Sequence, residues 1–164
     1  WISRKAETAN PGIKANPKPL RVIVGTDGSE HARKAVKYAA SLAMRNGGEV
    51  ILLHVVAMDP RIPPSPWVTP EIEARDRKFI EDLRATGEAM VKKEAELIKD
   101  HGINVKTRVE FGDPAETILK VAEEEKADMI VLGVRGVSAW KRLILGSVSE
   151  RVLEEAKVPV LIIR

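Results

Sequence analysis

The sequence predicts an α/β fold: one domain built on an open, mostly parallel five-stranded sheet with helices on both faces. Two observations predict it. From Leu20 onward, short β-branched runs alternate with longer segments of helical period, and the junctions between them carry residues that start or stop helices. Parallel neighbours need crossover connections of this kind. A length of 164 residues suits one domain with a real core.

The elements follow in order. LRVIVGTD (20–27) is a β-branched run that ends in turn residues, as a buried strand does. Ser29 then caps a helix whose apolar positions are Ala32, Ala35, Val36, Ala39, Ala40 and Ala43, and Gly47–Gly48 stops it. EVILLHVV (49–56) is the second strand. The stretch from Ala57 to Pro70 holds five of the ten prolines and can be neither helix nor central strand. Thr69-Pro70-Glu71 opens a helix that can run to about Asp100, with Ile72, Ile80, Leu83, Met90, Val91 and Ile98 as its apolar face and Gly87 as a point where it could break. NVKTRVEFG (104–112) alternates as the third strand. Asp113 and Glu116 form a capping box ahead of a helix over Ile118, Leu119 and Ala122. ADMIVLGV is the fourth strand, a fourth helix begins near Ser147, and VPVLIIR closes the chain as strand five.

Composition narrows the function classes. Residues 1–19 carry four basic residues and one acidic, which is the whole net charge of +3; the remaining chain has 23 of each sign. A neutral domain behind a weakly basic tail gives little reason to expect nucleic acid. Three prolines and no apolar period make that tail a flexible extension ahead of a domain at 20–164. No apolar run is long enough to span a membrane, so no membrane role is expected. The absence of cysteine removes disulfides and thiolate metal sites and fits a cytoplasmic setting.

In a sheet of this kind, ligands sit outside the carboxyl ends of the strands, where the winding direction reverses. Two loops at that edge carry unusual chemistry. One is GTDGS after strand one; the other is VLGVRGVSAWKRLILGSVSE, from Val131 to Glu150. Gly133 and Gly136 would let the main chain turn sharply and let a bulky group approach it. Gly146-Ser147 opens a helix whose first amides lack internal partners and form an anion site, with Ser147 and Ser149 adding hydroxyls. The same residues also admit a ligand-free account, since SVSE reads as a capping box of Ser147 and Glu150. No Walker loop is present, and the compact dinucleotide fingerprint is absent.

The spacing G-x2-G-x9-G-S, however, closely resembles the nucleotide-binding signature of the universal stress protein family. VIVGTDGSEHARKAVKYAASLA resembles that family's first strand and helix, and GSVSERVLEEAKVPVLIIR its closing helix and strand, so the likeness runs from Leu20 to Arg164. The resemblance implies a sheet ordered 3-2-1-4-5, related to the adenine nucleotide alpha hydrolases. It also implies ATP (or AMP or ADP), with Mg²⁺ held mainly by phosphate oxygens and water, and a homodimer. Residue by residue, it places Asp27 near the adenosine and the main chain of Val55 at the adenine edge. Gly133 and Gly136 become the first glycine pair, with Arg135 between them. Gly146, Ser147, Val148 and Ser149 become the phosphate-binding turn.

Trp140 departs from the small or aliphatic residues expected in that loop, and packing on the sheet rim accounts for it best. Asp27 has a simpler role open to it, capping the next helix. His31, His54 and His101 lack metal spacing, and His54 reads as a core or rim residue. No metal ligands and no catalytic residues are assigned. No base poised at a γ-phosphate is legible, so the expected function is a nucleotide-dependent regulatory or stress-response protein with slow or no hydrolysis. A low-turnover ATPase or nucleotidyl-transfer enzyme and a nucleotide-independent dimeric scaffold are the alternatives. Strand five, residues 159–164, is the expected dimer edge.

Overall fold

The structure is a computed structural model, and it describes residues 18–45, 47–58, 69–134 and 145–164. The expected flexible extension lies outside the described residues up to residue 17, as do Arg135, Gly136, Trp140 and the basic pair Lys141-Arg142.

The elements in chain order are β1 (Arg21–Gly25), α1 (Glu30–Met44), β2 (Glu49–Ala57), α2 (Pro70–Glu96), a 3-10 turn (Lys99–His101), β3 (Asn104–Gly112), α3 (Pro114–Glu124), β4 (Met129–Gly133), α4 (Ser147–Glu155) and β5 (Val160–Ile163). The strands form one parallel sheet ordered β3-β2-β1-β4-β5, as the family resemblance implies.

Alternation along the central strands builds two cores. Val22, Val24, Val50, Leu52 and Val131 face α1 and α2, where the alanine stripe of α1 lets the helix lie close to the sheet. Ile23, Ile51, Leu53, Ile130 and Leu132 face the other way, onto α3 and α4. Full burial of each such aliphatic side chain contributes about 1.5–3 kcal/mol. The central strands are thus apolar on both faces, which is why they read as continuous β-branched runs.

Three helix starts follow the expected chemistry, with Thr69 Oγ1 accepting the Ile72 N–H at 3.4 Å ahead of Pro70. Ser29 Oγ accepts the Ala32 N–H at 3.1 Å, and Asp113 Oδ1 accepts the Glu116 N–H at 2.9 Å. Differences arise along α2. The helix runs unbroken through Gly87, which is buried against His54 and Val109. Its expected apolar face is only half used. Val91 and Ile98 are buried, whereas Ile80 is 38% exposed and every residue from Pro70 to Thr86 is exposed or half-buried. The first half of the helix extends past the described sheet, so no described element buries the periodic apolar residues there.

At the amino edge, one buried carboxylate ties three strands. Glu49, 8% exposed, accepts from Arg21 Nε at 2.7 Å, Lys106 Nζ at 2.9 Å and Asn104 Nδ2 at 3.0 Å. Arg21, Glu49 and Asn104 stand side by side in register. Removing the carboxylate strands the cations it compensates. Glu49→Ala is therefore expected to cost about 3 kcal/mol, read as a lower urea midpoint at an unchanged slope. An unmoved midpoint would show that the register holds without it.

Candidate functional site

The winding direction reverses between β1 and β4. The chain leaves β1 for α1 on one face and leaves β4 for α4 on the other. A cleft of ≈ 270 Å³ opens at this point, close to the smallest small-molecule sites at about 300 Å³. Its floor comes from Gly25, Thr26 and Asp27 after β1 and from Gly133 at the end of β4. Leu53, His54 and Val55 of β2 form one wall. Ile118 of α3 and Val148 and Ser149 of α4 form another.

The β1–α1 turn is held by its own hydrogen bonds. Thr26 is 7% exposed; its N–H donates to the Leu53 carbonyl at 2.9 Å, and its hydroxyl accepts the Gly28 N–H at 3.2 Å. Gly28 takes φ +76, which side chains rarely adopt. One oxygen of Asp27, an exposed residue, accepts the Ser29 N–H at 2.9 Å. The aspartate therefore organises the entry to α1, while the helix cap itself is Ser29. His54 is half-buried on the cleft rim, with Nδ1 2.9 Å from the Thr26 carbonyl. A carbonyl only accepts, so Nδ1 carries the hydrogen.

The glycines of the spaced motif do different work. At Gly133 a Cβ would collide with the main chain of His31 and would lie 2.7 Å from the Ala32 nitrogen, so the first turn of α1 requires glycine there. The amide after it is also committed, because Val134 N–H donates to the Ile163 carbonyl at 2.9 Å. The Val134 amide is therefore spent within the sheet. Gly136 and Arg135 lie outside the described residues.

Gly146 is the N-cap of α4, at φ −66 and ψ 154, with no side-chain hydrogen bond. The capping box expected from Ser147 and Glu150 is therefore not formed, because the helix begins one residue earlier and the cap has no side chain. No described residue lies within 4 Å of a Cβ built at Gly146, and its conformation suits any residue. The first ladder bond is Glu150 N–H to the Gly146 carbonyl, at 3.0 Å. The amides of Ser147, Val148 and Ser149 precede that ladder and sit at the positive end of the helix dipole.

The structure thus brings Asp27, Val55, Gly133, Val148 and Ser149 into one cleft, with Gly146 and Ser147 directly before the last pair. Sequence reading missed Thr26, Pro114, Ile118 and Leu132, whose only signal was apolar period or turn chemistry. Among the described residues no group of three His, Cys, Asp or Glu could hold a metal ion.

Comparison with known proteins identifies the family and agrees with the fold. A model of the universal stress protein family matches residues 20–164. The chain belongs to that family. It is 33% identical to universal stress protein MJ0531 of Methanocaldococcus jannaschii over 144 residues, 88% of this chain and 81% of that one. The solved universal stress protein UspA of Lactobacillus plantarum superposes with a TM-score of 0.71 at 25% identity, over 91% of this chain and all of that one. A universal stress protein solved in complex with cAMP gives a TM-score of 0.62 at 26% identity, covering 88% of this chain and 96% of that one.

The two described motif glycines of this universal stress protein should respond oppositely to substitution. Gly133→Ala is expected to destabilise by about 1–3 kcal/mol through overpacking, whereas Gly146→Ala should stay within about 0.5 kcal/mol of the parent. Urea unfolding of both variants checks this, and equal effects would contradict the packing at Gly133.

Proposed function

We propose that this universal stress protein binds an adenine nucleotide, ATP in the first instance, at the β1/β4 cleft and acts as a nucleotide-dependent regulator. One observation carries the reading: Gly146 is a glycine that neither its conformation nor packing against any described residue demands, and it stands ahead of the first amides of α4 with no side-chain cap. The missing Cβ leaves room for a phosphate to approach the main chain. The apolar walls of Ile118, Leu132 and Val148 suit a flat base, with the Val55 main chain at its edge and Asp27 towards the ribose. The relative bound to cAMP supports the ligand class. Mg²⁺ would be held by phosphate oxygens and water. Slow or absent hydrolysis and a cytoplasmic location belong to the same proposal.

Gly133 gives a second reading some support, because packing alone accounts for it: a scaffold that needs no nucleotide. Melting separates the two. ATP at about 100 times Kd stabilises by about 2.7 kcal/mol, so the melting temperature should rise, and Gly146→Val should abolish the rise while folding normally. No shift at millimolar ATP would favour the scaffold. Mass spectrometry of the gently purified protein should find adenine nucleotide.

We also propose a homodimer through β5. The two sheet edges differ in chemistry. β3 carries Lys106, Arg108 and Glu110, with Arg108 bonded to Glu110, Glu124 and Glu125 at 2.6–3.0 Å. Charges of this kind discourage strand addition. β5 offers only Val160, Leu161, Ile162 and Ile163, all half-buried. Ile163→Lys should convert a dimer to a monomer in light scattering, and an unchanged mass would move the interface elsewhere.

A further inference from the structure

Glu94 occupies a place where a charge is costly. α2 presents Gly87, Val91 and Glu94 to the sheet along one seam that Ile98 continues just beyond the helix, and Val91 and Ile98 belong to the apolar core. Glu94 is 3% exposed, and neither carboxyl oxygen completes a hydrogen bond to a described residue. Buried polar groups are ordinarily satisfied, so an orphaned one asks for a reason.

Its surroundings are the back of the cleft. The Thr26 hydroxyl and Asp27 face it from the β1–α1 turn, Arg33 from α1 and His54 from β2. The same helix presses on that turn a second time. Met90, one helical turn earlier, sits where a Cβ at Gly28 would come within 2.5 Å of its sulfur. Thr26 has already used its N–H on Leu53, its carbonyl on His54 and its hydroxyl oxygen on Gly28. Its hydroxyl proton remains, and Glu94 is the acceptor it faces.

We propose that Glu94 is a positioning residue of the cleft: acting through Thr26, it couples the affinity of the cleft for adenine nucleotide to the protonation of a buried carboxyl group. The role rests on the nucleotide reading above and adds a proton input to it. Burial pushes the Glu94 carboxyl up from the ordinary glutamate range; Thr26 and Arg33 oppose that shift, Asp27 adds to it and His54 opposes it. The folded protein therefore keeps this proton to a higher pH than the unfolded chain does. The associated stability is complete below the ordinary glutamate pKa and is lost as pH rises through the folded value. In the neutral form the carboxyl group rests in the apolar seam beneath a closed turn. Ionised, it draws water and the Thr26 proton towards itself and repels Asp27, and the turn beneath the nucleotide loosens.

The test is ATP binding by the parent and by Glu94→Gln from mildly acidic to mildly alkaline pH. The amide side chain of the variant is neutral throughout and nearly isosteric, and the ratio of the two Kd values cancels the titration of ATP itself. The ratio of parent to variant should rise with pH by about three- to tenfold, a tenfold change corresponding to one pKa unit. A ratio that stays flat, whatever its size, would reduce Glu94 to a packing residue and overturn the proposal. Amide exchange at Gly28 and Ser29, without ligand, gives an independent readout of the turn. Protection should fall with pH in the parent more steeply than in the variant, and identical profiles would overturn the coupling. If neither protein binds ATP at any pH, the nucleotide reading is what fails, and the exchange profiles alone then decide whether Glu94 holds the turn. Should Glu94→Gln fold poorly, Glu94→Met, which suits the apolar seam, serves in both measurements.

Discussion

The pairing of β1 with β4 is the constraint on which the site depends. Val22 to Gly25 lie in register with Met129 to Leu132, although more than a hundred residues separate them. Once these strands are neighbours and their following helices leave for opposite faces, a crevice must open between the two exits. The crevice needs no special residues to exist; it needs them to stay open. Gly133 matters for this reason. It lets the first turn of α1 settle against the end of β4, which fixes the side of the cleft formed by Ala32 and the β1–α1 turn. A side chain at Gly133 would push α1 outward and disturb the floor before any ligand arrived.

Most of the fold was legible because the central strands and α1 obey simple rules. β3 spans the residues its alternation implies, and the alanine stripe of α1 is buried along its length. The misses have identifiable causes. Periodicity shows which residues of α2 share a face, but not where the sheet beneath that face ends. Ile72 and Ile80 thus kept the period without finding a core. Glu94 failed in the opposite sense: a carboxylate counts as polar in any periodic reading, yet it fills a position between Val91 and Ile98. The start of α4 near Ser147 was legible, but the capping-box alternative put the cap one residue late, because Ser147 is the better capping residue by type. The chain puts the cap at Gly146, and that single residue undoes the capping-box account of the motif.

The candidate site was legible in part, for a related reason. Residues named from the spaced motif lie along the chain and can be counted. Ile118 and Leu132 are core residues by pattern and become cleft walls only where α3 begins and β4 ends beside the same cleft. No local rule distinguishes a wall from a core, because the difference lies in what the neighbouring element leaves uncovered. His54 stands between these cases. Its place at the end of a buried strand marked it as rim, but its bond to the Thr26 carbonyl depends on the β1–β2 register.

Among the described residues, two forgo the most stabilising local choice: the glycine that caps α4 at 146 without a side-chain bond and the buried acid at 94. Each lowers stability where an ordinary substitution would raise it, a serine or aspartate at the cap and a leucine or methionine in the seam. Proteins that fold by consistent local signals concentrate such violations where function asks for them. Both lie on elements that border the same turn-and-cleft unit, Gly146 ahead of the α4 amides and Glu94 behind Thr26. That coincidence is the physical reason for reading them together. On the proposed reading, Gly146 would leave main-chain donors open to an anion from the front of the cleft, and Glu94 would set from behind how firmly the opposing turn is held.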